Sequence, residues 1–173
     1  MDFSKFKTHD WLIVGGGIGM LIFGFVSWLK VDLGAFGSSS GGNAFDFFFT
    51  GTIPWILLVA AAVVTVLRIQ GTLKDNLPWP LILLGATVLS ALLLLIRIVF
   101  NPGIPDGIDR GIGMIVSFLA GIVAAVGGVM GFLASGGNFN DLKDPNKLKG
   151  AFGNSAGGGS GMAPPPPPPP PGV

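Results

Sequence analysis

The sequence predicts an all-α membrane protein, a four-helix transmembrane bundle followed by a disordered Gly/Pro-rich C-terminal tail. Three observations carry that expectation. Half of the 173 residues are hydrophobic. Only 11% are charged, against about 25% in an ordinary soluble domain. The apolar residues also fall into four long blocks, and about 20 such residues cross a ~30 Å hydrocarbon core as a helix.

The first block, 11–29, reads WLIVGGGIGMLIFGFVSWL and holds no charge. Lys5 and Lys7 precede it, as in a signal peptide. Its apolar stretch exceeds the usual 7–15 residues of such a segment and no small-residue cleavage site follows, so it reads as a retained anchor. The second block, 53–69, places Pro54 in the first turn, where a missing N–H costs nothing. The third, 81–100, is opened by Pro78-Trp79-Pro80 and closed by Asn101-Pro102-Gly103. The fourth, 111–134, ends at Ser135-Gly136-Gly137. Backbone polar groups in lipid must be satisfied within the segment, which makes these helices. Short links then make neighbouring helices antiparallel.

The ends of the blocks carry the residues that favour headgroup level. Trp11, Trp28, Trp55 and Trp79 are expected as aromatic interface anchors. Arg68 and Arg97 are expected to snorkel from helix ends. Four spans put both termini on one side. That side collects Lys5, Lys7, Arg68, Lys74, Lys143, Lys147 and Lys149, and the other only Lys30, Arg97 and Arg110. Positive charge favours the cytoplasm, so residues 1–10 and the tail are expected inside. Asp106 and Asp109 are expected near Arg97 and Arg110, where exposed pairing would shape the turn at about 0–1 kcal/mol.

Small residues mark the expected helix contacts. Gly15 and Gly19 lie four apart on the first helix, and Ser117, Gly121 and Ala125 form a row on the fourth. Ala120, Ala124 and Gly128 form a second row, and Gly127, Gly131 and Ser135 a third. Lipid gives no hydrophobic drive between helices, so close backbone approach must supply the attraction. The first and fourth spans are therefore expected to pack on these faces. The run Gly15-Gly16-Gly17-Ile18-Gly19 does not complete a dinucleotide fingerprint, because Met20 and Ile22 stand where the last glycine is needed.

Between the first two spans, residues 31–52 form a Gly/Ser-rich loop whose part 37–42 is expected to be flexible. Phe45-Asp46-Phe47-Phe48-Phe49 is expected at the interface, against the bundle, or as an extension of the second helix; contact with an outer partner or lipid is the alternative. From residue 135 the composition turns polar, Gly-rich and Pro-rich, as expected of a disordered cytoplasmic tail, 135–173. Its polyproline run, 164–171, is expected as an extended rod of about 25 Å. It reads either as a solubilising end or as a ligand for a proline-binding partner.

Several functions are disfavoured by composition. A net charge of +1 gives no basic field for nucleic acid. There is no Cys, all acids are Asp, and the one His, His9, stands beside Asp10 just before the first span. No catalytic, cofactor or metal site is expected, and the chain does not read as an enzyme.

The opening MDFSKFKTHDWLIVGGGIGMLIFGFVSWL, the Pro-Trp-led third span and the Gly/Pro tail resemble small four-span membrane proteins of unknown function found in actinobacteria. The resemblance covers most of the chain in architecture. It implies a bacterial inner-membrane location and carries over no site residue. The expected role is a structural or interaction module in the cell membrane, bathed in lipid and associating with itself or with other membrane proteins. The alternative is a small transporter or an accessory subunit of a transport system.

Overall fold

A computed structural model describes residues 3–73, 77–100, 102 and 108–156. The chain is mostly helical (73%). Three helices are long and apolar enough to cross a membrane: Phe48–Ile69, Trp79–Phe100 and Ile112–Ala134. A shorter apolar helix, Thr8–Phe23, precedes them. We label the helices α1 (Thr8–Phe23), α2 (Ile53–Ile69), α3 (Trp79–Phe100), α4 (Ile112–Ala134) and α5 (Pro145–Ala156). α1 packs against α2 and α4, and α3 packs against the same two helices.

The first helix is shorter than its apolar block. It ends at Phe23, and the expected span to residue 29 is not formed. Its 16 residues rise about 24 Å. The reason lies beyond the helix. Trp28 is fully buried, and its indole Nε1–H donates to the Phe23 carbonyl (3.1 Å), satisfying one of the orphan acceptors at the helix end. Gly24 sits so close to the Trp55 ring that a Cβ there would stand 2.7 Å from its Nε1.

The chain then leaves helical geometry altogether, so the fold is not all-α. Three short strands, β1 (Leu29–Asp32), β2 (Ser38–Gly41) and β3 (Ile108–Arg110), form an antiparallel sheet in the order β2-β1-β3. Leu29 pairs with Gly41 on one side and Arg110 on the other. The Gly/Ser segment expected to be flexible therefore supplies a strand. Its tight turn needs positive φ at Gly34 (60°) and Gly37 (90°), which glycine adopts without a steric penalty. The sheet feeds directly into α4: the Gly111 and Gly113 N–H groups donate to Trp28 and Ser27 carbonyls at 2.7 and 3.0 Å. A Cβ at Gly111 would stand 2.5 Å from the Ser27 oxygen, and one at Gly113 the same distance from the Val26 oxygen.

The aromatic run folds back on this end. Asn43 accepts from the Phe45 N–H (2.9 Å), and Asp46 accepts from the Asn43 N–H (2.7 Å), making a compact reciprocal cap. A π-helical turn, Phe48–Thr52, continues into α2. Phe25, Phe45 and Trp55 cluster with centroids 5.1 to 5.9 Å apart.

The interior is built at helical spacing. α3 buries Leu83, Leu84, Thr87, Ser90, Leu94 and Arg97, and α4 buries Met114, Ser117, Ala120, Ala124 and Phe132 among others. Buried hydroxyls return their protons to their own helix: Thr65 to Ala61 (2.8 Å), Thr87 to Leu83 (2.8 Å) and Ser90 to Ala86 (2.7 Å). That leaves little demand for polar partners across helices.

Past α4 the expectation of disorder from residue 135 is corrected in part. Gly136 (φ 84°) turns the chain, and the Gly137 N–H donates to the Phe132 carbonyl (3.1 Å). Phe139 packs on Phe132 (centroids 5.5 Å apart). Asp144 accepts from the Asn146 N–H (2.9 Å) at the start of α5, where Pro145 occupies a first-turn position. Lys74 and the polyproline run 164–171 lie outside the described residues.

Candidate functional site

Helix contacts are the first feature that positions function, since they make up most of the close packing among the described residues. Three consecutive glycines in α1 take different roles. Gly16 faces α4, where a Cβ would stand 2.6 Å from the Ala120 oxygen and 2.7 Å from the Ala124 Cβ. Gly17 faces α2, with the Leu58 oxygen at 2.8 Å. Gly15 faces outward with nothing within 4 Å. The expected Gly15–Gly19 contact face is therefore corrected: a Cβ at Gly19 would stand 3.0 Å from Ala120 Cβ, but Gly15 belongs to the outer surface. In α4, Gly127 faces α1, where a Cβ would stand 2.8 Å from both the His9 oxygen and Leu12 Cβ.

The other small residues of α4 serve a second neighbour. Gly121 faces α3, where a Cβ would stand 2.8 Å from Leu94 Cδ1, and Gly128 lies against Thr87 Oγ1. Ser117 and Ala124 are fully buried and Ala125 is half-buried. Among buried polar atoms, Ser117 Oγ has no hydrogen-bond partner. The small residues of α4 thus divide between α1 and α3, because a central helix flanked on both sides needs two close faces.

The sheet-bearing end holds the one buried charge among the described residues. Arg97, expected as an interfacial anchor, is 1% exposed. Its guanidinium carbon lies 3.5 Å from the centre of the Phe47 ring, a cation–π geometry. Nη1 donates to the Pro102 carbonyl (2.5 Å), while Nε and Nη2 have no hydrogen-bond partner. Phe47 in turn stacks on Trp28, with centroids 6.2 Å apart and planes 19° from parallel. Trp28 is likewise interior, not an anchor. The cause is the same for both: residues 43–52 fold over the helix ends and cover them. Of the expected partners, Asp106 lies outside the described residues and Asp109 is the strand neighbour of Lys30. Arg110 instead caps α3, its Nε donating to the Ile98 carbonyl (2.7 Å).

The remaining expected anchors differ in exposure. Trp11 is 48% exposed, and Trp55, Trp79 and Arg68 are half-buried. Trp55 Nε1 is buried without a partner.

The opposite end of the helices is charged and concave. Lys5 and Lys7, His9 and Asp10 from the start of α1, and Arg68 from the last turn of α2 surround a cavity of about 330 Å³ whose wall includes Leu83 of α3. Asp10 accepts from the Lys7 N–H (2.9 Å) and lies 3.6 Å from His9 Nε2. The sequence placed Lys5, Lys7 and Arg68 on one side but gave no sign that they converge, because the convergence depends on which faces of α1 and α2 meet.

Two apolar grooves open on the outer surface. One lies between α3 and α4 around Gly85, with Leu81, Val88, Leu92 and Val129, and has a volume of about 540 Å³. The other, about 330 Å³, lies between α1 and α2 around Val14, Ile18 and Val63. Among the described residues no group of three or more His, Cys, Asp or Glu side chains is arranged to hold a metal. Comparison of the chain with protein families, curated proteins and solved structures gives no match.

Proposed function

We propose that the chain is a multi-pass membrane protein whose four apolar helices all cross the bilayer, with both termini in the cytoplasm, and that it serves as a structural or interaction module. One observation carries this reading. The three long helices bury only 28 to 44% of their apolar windows inside the protein, so most of their hydrophobic surface points outward. In water such a surface would be an aggregation site, whereas lipid is its natural solvent. The lysine and arginine asymmetry supports the orientation. A location in a bacterial inner membrane follows from the resemblance drawn from the sequence.

The interior supports interaction over transport. The buried hydroxyls of Thr65, Thr87 and Ser90 are bonded to their own helices, and the buried Arg97 lies at a helix end beneath Phe47. Ion pathways usually place ionisable groups at mid-depth. The groove at Gly85 suits a partner helix, a second copy or another membrane protein, because a residue without a side chain allows the close approach that drives association in lipid.

Cross-linking in native membranes, comparing wild type with Gly85→Leu, tests the role. Gly85 has nothing within 4 Å, so the substitution fills the groove and leaves the interior alone. Loss of cross-linked species with retained folding supports the proposal. Unchanged cross-linking contradicts a partner at this face. Solute flux in liposomes carrying the pure protein would favour the transport alternative.

A further inference from the structure

We propose that the polyproline run of the chain's own tail, 164–171, docks in the cavity where α3 begins and α4 ends. That cavity holds about 300 Å³. Its walls include Pro80 and Leu81 of α3, Phe132 of α4, Leu142 of the turn that follows and Leu148 of α5. The polar side chains around it are mostly spent within the wall. Ser135 Oγ–H donates to the Phe132 carbonyl (2.7 Å), and Lys147 donates to Asp141 and cancels its charge. Asn138 differs. Its Oδ1 accepts from the Asn140 N–H (2.9 Å), so what it can give an occupant is its amide N–H donors. The cavity therefore suits an occupant that is apolar and uncharged, and that offers carbonyl oxygens without demanding acceptors in return.

Polyproline meets each of these requirements. Proline has no backbone N–H, so a run of eight presents only rings and carbonyls. Such a run is nearly fixed in its extended helix before it binds, so docking costs little chain entropy. Its rings pack on aromatic surfaces, which Phe132, backed by Phe139, supplies. The volume admits part of the run, leaving the rest along the surface. The tether also reaches. α5 gives Leu148 to the wall and ends at Ala156, about 12 Å further along its axis. Residues 157–163 can span up to about 24 Å, more than the return distance. So short a tether holds the run at about millimolar effective concentration, which favours the chain's own prolines over those of another molecule. Cavity and run follow the same end of α4, so the contact is independent of how the chain sits in a membrane.

The test uses the full-length chain in detergent, with Gly172→Cys carrying a nitroxide label and the leucine methyls read by NMR. A second chain carries glycine and serine in place of the eight prolines, which keeps the tether and the label but removes the rod. We expect the label to broaden Leu142 and Leu148 in the first chain far more than in the second, with Leu33, at the sheet-bearing end, untouched in both. Equal broadening in the two chains overturns the proposal. Broadening that needs the label on one chain and the observed methyls on another also overturns it, and assigns the run to a second copy. A fluorescent octaproline peptide should bind the Gly/Ser-tailed chain, and should bind wild type about 10-fold or more weakly because the native tail competes. Asn138→Asp in the Gly/Ser-tailed chain keeps the acceptor for Asn140 and loses the donors, so it should weaken the peptide about 5-fold. Equal affinity in all three chains, or binding to none, overturns the proposal.

Discussion

The Arg97 guanidinium carbon sits 3.5 Å from the centre of the Phe47 ring, sealed beneath it at the sheet-bearing end of the helices. The ring face offers negative potential to a cation that keeps two N–H-bearing nitrogens without partners. Such a buried charge costs desolvation that one hydrogen bond to Pro102 does not fully offset. Arg97→Met should therefore leave stability unchanged or raise it, while Phe47→Leu alone should lower it by about 1–2 kcal/mol. When Phe47→Leu is combined with Arg97→Met, its effect should shrink by about 0.5–2 kcal/mol. Unfolding of wild type, the two single variants and the double variant in one detergent measures this coupling, and additive effects would deny it.

Gly15 and Gly17 differ by two positions and by everything that surrounds them. Gly17→Val drives a branched side chain into the Leu58 carbonyl of α2, which is backbone and cannot swing aside. The expected cost is about 1–3 kcal/mol or more. Gly15→Val meets open space, and the expected change is within about 0.5 kcal/mol. Thermal midpoints of the two variants decide the helix register, and a reversed order would place α1 the wrong way round.

Beyond α4, Lys147 Nζ donates to Asp141 (2.5 Å), which raises the lysine's pKa above its ordinary value; the attraction of Asp141 and Asp144 adds to the effect. A raised pKa in the folded state means the pair stabilises fully below the ordinary lysine value. The contribution disappears as pH climbs through the raised one. Folding of this segment should therefore be insensitive to Lys147 titration near neutral pH and should weaken only in strong alkali. An NMR titration of the Lys147 ε-methylene should show the elevated midpoint. Asp141→Asn should bring it back down, and an unchanged midpoint would remove the interaction from the account.

The long helices were legible because run length and Pro or Gly punctuation are local signals. Pro54 marks one helix start, and Ser135-Gly136-Gly137 marks one end. The end of α1 was not legible. Residues 25–29 are as apolar as those before them, and what stops the helix is distant: Trp28 bonding back to Phe23, and 29–32 pairing with both 38–41 and 108–110. Composition also shows that an arginine or tryptophan stands near a helix end, but not whether a later segment folds over it, as residues 43–52 do over Arg97 and Trp28. Small-residue rows announced close packing. They did not assign each glycine to a neighbour, since in a run of three every register is chemically alike.

The central claim is that α1, despite its 16 residues, crosses the membrane with the other three helices. The chain has no cysteine, so single introduced thiols report their side without background. Ser4→Cys, Ser38→Cys, Thr72→Cys and Asn138→Cys, treated in intact cells with a membrane-impermeant maleimide, test it most directly. The account predicts labelling at 38 alone, with 4, 72 and 138 reacting only after permeabilisation. Identical accessibility at 4 and 38 would contradict it.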